Sequence, residues 1–395
     1  VGALSILTSL LAAVGMLQAV FGYALVRRFA RRTARPPVRH RPVTVLKPLH
    51  GDEPRLEEAL GSLLCQAGGL VQVVLGVQDP GDPALRSVER ARRRFPAADV
   101  AVVVDPTPHG RNRKVANLIN MLPAARHDVL VIADSDVHAP PGYIAALVAA
   151  LDRPGVGLAT TLYTGLPASD SVAARLGATA LTHGILPGAL MARAMGRRDC
   201  LGATMALRRE TLERIGGLAS LSPHLADDNV LGQLVRAQGL DVVLAATVPA
   251  TTVGESQLRD LYQHELRWAR TIGGIVPIRF ALSTIQYPLA WGLFSVALSG
   301  GEQAAVAVFL AAWVARALVT RGIDRMLALG RPGAAAAALA SPAPIWLLPL
   351  RDLLSLTVAV ASYLGDEVIW RGHVMHSGGA GRARLARREL GTEPP

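Results

Sequence analysis

What most limits the fold of this chain is where charge is missing. Residues 1–26 carry no charged side chain, and Arg27, Arg28, Arg31, Arg32, Arg35, Arg39 and Arg41 then follow with no acid among them. A run of that length crosses a bilayer, which takes about 20 apolar residues. A second uncharged run of membrane length, Phe280–Gly301, stands beyond a long stretch of ordinary charge. A chain built this way must set a globular domain beside membrane helices.

Composition agrees with that division. The 395 residues are 51% hydrophobic and 18% charged, with a mean hydropathy of +0.32, too apolar for an ordinary soluble enzyme and too polar in the middle for a pure transporter. The net charge of +11 comes from 41 Lys and Arg against 30 Asp and Glu. The arginines crowd beside apolar segments, where they face anionic lipid, and no basic-aromatic interleaving marks a nucleic-acid surface. Two cysteines, Cys65 and Cys200, make neither a metal spacing nor a disulfide framework, in keeping with a reducing cytosol.

The first run has no basic region before it and no small-residue cleavage pattern after it, so an N-terminal anchor over 1–26 is expected. The basic segment 27–41 places the following domain on the cytoplasmic side of an inner membrane. From about Pro42 to Thr271 the pattern alternates. Val43–Leu46, Val71–Val77, Val100–Val104 and Val129–Ile132 are short, β-branched and unbroken, as buried strands are. Arg55–Gln66, Pro83–Phe95 and Lys114–Leu122 are the predicted helices between them. The alternation predicts a parallel-rich α/β sandwich, in which ligands sit beyond the carboxyl ends of strands.

Beyond Phe280–Gly301, Gln303–Thr320 is another membrane-length candidate, with Arg316 near its end where a long side chain snorkels. Arg321, Arg325 and Arg331 mark a cytoplasmic loop. Gly333–Leu364 is interrupted by Pro342, Pro344, Pro349 and Arg351-Asp352, and includes a helical alanine run, Ala334–Ala338. For the basic tail (Arg371, Arg382, Arg384, Arg387, Arg388) to stay cytoplasmic, this segment must cross twice, re-enter or lie on the surface. Two short halves split at Arg351-Asp352 are expected. The layout is thus an anchor (1–26), a basic juxtamembrane segment (27–41), a globular domain (42–277), transmembrane or re-entrant segments (278–364) and a tail (365–395).

Four clusters in the globular part carry candidate chemistry. Asp134-Ser135-Asp136 follows a buried strand, and alternate carboxylates on an extended turn present oxygen donors to Mg²⁺ or Mn²⁺; a helix N-cap ahead of Pro140-Pro141 uses the same residues. Asp79 ends a strand in a Pro- and Gly-containing turn and needs no function, though a carboxylate there also accepts from a base or ribose. Asp227-Asp228 precedes the helical run Asn229–Gln238, either as a cap or as a general base whose proton affinity its neighbour raises. Arg267-Trp268 lies in the helical segment Gln257–Thr271, where a guanidinium forks onto phosphate and an interfacial pair looks the same. A basic turn, His109–Lys114, leads into a helix whose N-terminal amides and lysine suit a diphosphate; a solvated charged loop has the same composition. Val172–Met195 reads as an amphipathic stretch at the membrane interface.

Taken together, these residues resemble the ceramide glucosyltransferase family of membrane glycosyltransferases with a GT-A catalytic domain. The resemblance runs through Lys47-Pro48-Leu49-His50-Gly51, Val77-Gln78-Asp79 with Asp82-Pro83-Ala84, Asn112-Arg113-Lys114 with Asn117-Leu118, Asp134-Ser135, Cys200–Met205, Asp228 and Arg267-Trp268. It implies a UDP-sugar donor, a divalent cation and inverting transfer to a lipid hydroxyl. Under it, Lys47, Asp79, Asn112, Lys114, Asp134, His264, Arg267 and Trp268 bind substrate, Asp134 and Asp136 hold the metal, and Asp228 is the base. His264 departs from the family motif, which has Gln or Arg there, so its role is open and pH-sensitive. The Asp-Ser-Asp-Val form and the Ala-, Arg- and Gly-rich composition look like the hopanoid-biosynthesis branch, which implies N-acetylglucosamine and a hopanoid polyol. A ceramide acceptor with UDP-glucose, a processive polysaccharide synthase, a lipid diphosphate phosphohydrolase and a non-catalytic scaffold are the alternatives.

Overall fold

The computed structural model describes residues 2–31, 41–66, 69–329 and 342–365, with the backbone of 367–370, 373–378 and 382–385. Arg32, Arg35 and Arg39, the run Ala334–Ala338, and Arg331, Arg371, Arg387 and Arg388 lie outside the described residues.

The globular part is built on β1 (Val43–Pro48), β2 (Val71–Val77), β3 (Asp99–Val104), β4 (Val129–Ala133), β5 (Val137–His138), β6 (Val156–Thr160), β7 (Thr164–Pro167), β8 (Thr204–Arg208), β9 (Asp241–Leu244) and β10 (Ala250–Val253). The main sheet runs β3-β2-β1-β4-β8-β6-β9, and β5-β10-β7 form a smaller one. β1 to β4 are parallel, while β8 is antiparallel to both β4 and β6. The expected α/β class is what the structure shows, with the four expected strands in place.

Strand alternation accounts for the two layers. Val43, Val45, Val73, Leu75, Val129 and Val131 point into one core, and Leu46, Val74, Leu130 and Ile132 into the other. A period of two sends neighbours to opposite faces, and helices cover both. The expected helices appear as Leu56–Leu64, Ala84–Arg94 and Arg113–Met121.

The membrane part differs from expectation in several places. Gly2–Ala30 and Gln303–Leu327 are long and apolar enough to cross a membrane. Phe280–Gly301 is not one straight span: Pro277–Gln286 and Pro288–Ser299 meet at 72°. Pro288 is the cause, since the residue before a proline is pushed out of the helical region, and Tyr287 has φ −105° and ψ 64°. Arg351-Asp352 does not split its segment either, because the helix Leu348–Ala361 runs straight through both. Each charge is paired inside the protein, so neither has to reach water. Arg316 does not snorkel; it is buried and lies 3.3 Å from Asp352. The stretch Val172–Met195 is no free amphipathic surface. It folds as Val172–Ala180, a π-helical turn Leu181–Ile185 and Leu186–Ala194, largely buried.

Small residues bring these helices together. Ser5 and Ser295 share a hydrogen bond between Gly2–Ala30 and Pro288–Ser299. A Cβ on Gly15 would strike the Ile285 carbonyl oxygen, and one on Gly22 would lie 3.1 Å from Pro187, the close approach that small residues permit. Val26, Phe29, Leu162, Leu186, Leu190, Leu244, Val319 and Ile323 form one core joining membrane helices to the sheet domain. The backbone of Glu367–Trp370, His373–Gly378 and Arg382–Leu385 forms an antiparallel sheet of its own.

Candidate active site

The loop Asp134–Asp136 connects β4 of the large sheet to β5 of the small one, and both sheets fix it. The Asp134 amide donates to the Ala203 carbonyl just before β8, and the Asp136 carbonyl accepts from the Thr252 amide on β10. The next helix, Tyr143–Leu151, begins after Gly142. The cap reading of these acids therefore fails. Lys47 works from below: fully buried, its Nζ donates to the carbonyls of Asp134 (2.7 Å) and Val137 (3.0 Å). Burial lowers its pKa to about 8, against the raising pull of Asp136, Glu53 and Asp134. The resemblance gives Lys47 to substrate; here two of its three ammonium donors hold the loop 134–137.

Lys114 faces the acids from above, 2.5 Å from Asp134 Oδ1 and 3.8 Å from Asp227 Oδ2. Burial disfavours its charge, but Asp134, Asp227 and Asp228 outweigh that and hold the ammonium above its ordinary range. Asn112 is buried, caps the helix by accepting from the Val115 amide, and donates to the His224 carbonyl. It thus aims Lys114, and its side chain also bonds Asp227, which joins the start of this helix to the acid pair. Asp136 turns elsewhere, accepting from the Thr251 hydroxyl at 2.5 Å. Burial and then Asp134 raise its pKa.

Asp227 and Asp228 lie in the first turn of the helix Asp227–Ala237, two residues earlier than expected, and Ala226 stands at the N-cap. Asp228 Oδ1 accepts from the Asn229 amide at 2.7 Å. Burial, then repulsion from Asp227, lifts its pKa to about 7, with Lys114 pulling the other way. That value suits a group that must take a proton near neutrality. Asp227 is raised by burial as well, and its Oδ2 is buried without a hydrogen-bond partner. The segment Cys200–Met205 spans the two acid sites. Ala203 holds Asp134, and a Cβ on Gly202 would lie 2.9 Å from Asp228 Oδ2.

Asp79 lies at the end of β2, beside a cavity of about 460 Å³ lined by Gln78, Asp79, Pro80, Gly110 and Arg113 among others. Its Oδ1 accepts from the Gly81 amide, which is the turn expected from the sequence. The neighbouring Asp82 is buried and accepts from the Gly51 and Ala84 amides, joining the Lys47–Gly51 motif to the Asp79 turn.

The helix Leu258–Ile275 brings the last cluster. His264 Nδ1 bonds Glu255, and its ring meets Trp268 edge-on with centroids 4.4 Å apart. Burial works against the Glu255 charge, yet the His264 bond, with Arg267 adding, holds its pKa below the usual range. Trp268 and Tyr163 pack on Ala178, Leu181 and Val253. Tyr163 was not foreseen: burial, then the charges of Asp228, Asp134 and Asp136, push its phenol up. It packs in the Trp268 cluster within the field of the acids, and no motif surrounds it in the sequence.

A hard divalent cation takes few carboxylates and completes its shell with substrate oxygens and water. The donors at this site are all oxygens. Asp134 fits, with a third of its side chain exposed, whereas Asp136 has one oxygen engaged by Thr251. No group of three or more His, Cys, Asp or Glu side chains is gathered for a metal among the described residues.

A half-buried carboxylate of raised pKa, a lysine-bridged acid loop at strand ends and an adjoining cavity define a transferase-like α/β site next to membrane helices. The Glycosyl transferase family 21 model matches residues 7–383, and the chain belongs to that family. It is 29% identical over 144 residues to a ceramide glucosyltransferase of Komagataella phaffii, covering 35% of this chain and 28% of that one. It is 20% identical over 257 residues to ceramide glucosyltransferase 1 of Caenorhabditis elegans, covering 64% and 54%. The chain thus spans from about a quarter to about half of these relatives' length. A mannosyltransferase from Pyrobaculum calidifontis, solved with GDP-Man and Mn²⁺, is similar at TM-score 0.49 and 17% identity, over 91% of this chain and 98% of that one. Glucosyl-3-phosphoglycerate synthase from Mycobacterium tuberculosis, solved with Mn²⁺, UDP and phosphoglyceric acid, is similar at 0.37 and 22%, over 56% and 73%.

Proposed function

We propose that this chain is an inverting glycosyltransferase of GT-A type that moves a sugar from a UDP donor onto a hydroxyl of a membrane lipid. The observation that carries the reading is the raised Asp228 held beside Lys114 and the Asp134 loop. Asp79 and the cavity next to it suit the nucleoside. Lys114, Arg267 and Trp268 suit the diphosphate and sugar, with His264 orienting Trp268. A divalent cation held by Asp134, with Asp136 beside it, would supply charge neutralisation for the departing diphosphate. The acceptor hydroxyl gives its proton to Asp228 as its oxygen bonds the anomeric carbon from the face opposite UDP. The bond to UDP breaks in the same displacement, and UDP leaves with the electron pair.

N-acetylglucosamine and a hopanoid polyol are the favoured pair, resting on the resemblance alone. Ceramide with UDP-glucose is the second reading, favoured by the names of the curated relatives. The two spanning helices and the arginines at 27–41 support an integral inner-membrane protein with its catalytic domain in the cytosol.

Lipid mass spectrometry of membranes containing the protein tests this. UDP-N-acetylglucosamine and UDP-glucose are each offered against hopanoid polyol and ceramide, with Mg²⁺ or Mn²⁺ or with chelator, and Asp228→Asn is the control. N-acetylhexosamine on the hopanoid, lost with chelator and in the variant, is expected. Hexose on ceramide would replace the substrate pair and keep the chemistry. No glycolipid, together with no metal-dependent UDP binding, would end the transferase reading.

A further inference from the structure

Inside the segment that carries Arg267 and Trp268 stands an acid that the proposed chemistry does not use. Glu265, the residue after His264, meets Arg351 of the helix Leu348–Ala361. The contact is bidentate: Arg351 donates to Glu265 Oε1 at 2.7 Å and Oε2 at 2.6 Å. Arg351 is 2% exposed, and its remaining donors go to the Leu176 carbonyl and the Ser355 hydroxyl. One guanidinium therefore pins the helix of the Arg-Trp pair, the helix Val172–Ala180 and a helix of the membrane part.

The next residue extends the connection. Asp352 pairs with Arg316 and accepts from the Leu289 amide, so it fixes Gln303–Leu329 and Pro288–Ser299 to the same helix. Leu261 packs with Ala173, Leu176 and Leu347, and Trp268 with Ala178, Leu181 and Val253, apolar contacts that set no preferred direction as a helix rolls. A planar fork on a carboxylate resists that roll, because two parallel bonds set direction as well as distance. Glu265, Arg267 and Trp268 share one helix, so turning it by one residue's worth would swing the Arg267 and Trp268 side chains out of place.

We propose that Glu265 and Arg351 are positioning residues for the donor diphosphate: their bidentate pair sets the rotation of the helix Leu258–Ile275 and thereby aims Arg267 and Trp268. The proposal rests on the transferase reading above. A pair that served only as mural stability would act through folding alone, and the two roles separate experimentally. Removing one partner leaves a buried charge and destabilises; removing both leaves none, and such double replacements are often tolerated.

The test compares Glu265→Gln, Arg351→Met and the double variant Glu265→Leu/Arg351→Met in detergent-solubilised full-length protein. Melting temperature, UDP-sugar KM, acceptor KM and metal-dependent UDP binding are measured for each. The single variants melt lower. The double variant regains the parent's melting temperature while its UDP-sugar KM stays raised about tenfold or more, the scale of a small misplacement in a site, and its acceptor KM stays within about twofold. Recovery of parental donor KM together with stability would overturn the proposal. So would equal losses on donor and acceptor in a double variant that melts like the parent, or a double variant that does not regain stability. If the parent itself binds no UDP-sugar, the transferase reading fails rather than the positioning role.

Discussion

Gly202 leaves the space in which the Asp228 carboxylate lies: a Cβ added at Gly202 would come 2.9 Å from Asp228 Oδ2 and 3.3 Å from its Cβ. The nearest obstacle is the carboxylate oxygen, so in Gly202→Ala the carboxylate moves most, while the Asp228 Cβ has to give by only a few tenths of an ångström. Turnover should fall by about ten- to a hundredfold, with the melting temperature nearly unchanged. Steady-state rates and thermal unfolding of the purified variant check both halves. A large drop in melting temperature with normal turnover per folded molecule would contradict this.

Asp228 also sets a pH dependence. Only its carboxylate accepts a proton, so activity should rise as pH climbs through about 7, where its pKa stands. For stability the sign is opposite. The folded pKa lies above the unfolded carboxylate value, so between the two the folded state binds more protons and stability falls as pH rises. Asp228→Asn removes that cost. At about pH 8 the variant should melt higher than the parent, and at about pH 4 the two should converge. Melting curves at both pH values decide it.

Lys114→Met removes the cation between Asp134 and Asp227. Stability should drop by about 1.5–3 kcal/mol, the scale of a charge-assisted hydrogen bond. Since Lys114 holds the Asp228 pKa down, its loss should also carry the rising limb of the pH–activity profile toward alkaline pH. Unchanged profile position in an active variant would show that Lys114 and Asp228 are not coupled.

The N-terminal helix offers a test of the membrane packing. At Gly15 the group in the way is the Ile285 backbone carbonyl, which has no side chain to yield. Gly15→Val should therefore reduce the yield of monodisperse protein in detergent, while Gly2→Val, with open space around its Cβ position, should not. Size-exclusion profiles of the two variants make the comparison.

The first four strands and the placement of acids at strand ends are legible because β-branched runs and turn residues act locally. Val129–Ala133 with Asp134 behind it needs no knowledge of the rest of the chain. Antiparallel β8 was not foreseen, since Thr204–Arg208 is a short run whose partners β4 and β6 lie far off in sequence. The structural task of Lys47 is hidden for a related reason: the carbonyls its ammonium holds lie 87 and 90 positions away. The charges of the last helices were read as interruptions because Glu265 and Arg351 are 86 positions apart. Charge alone says that a group needs a partner; the fold says where it is.

One core contains Val26 and Phe29 from the first helix, Leu186 and Leu190 from the middle of the chain, and Val319 and Ile323 from a later helix. Cutting the chain ahead of β1 to obtain a water-soluble fragment would strip one wall from that core. Leu162 and Leu244 would then border an open apolar socket. Light scattering of such a fragment should report aggregates. The bilayer anchor is at the same time part of the foundation on which the catalytic half is folded.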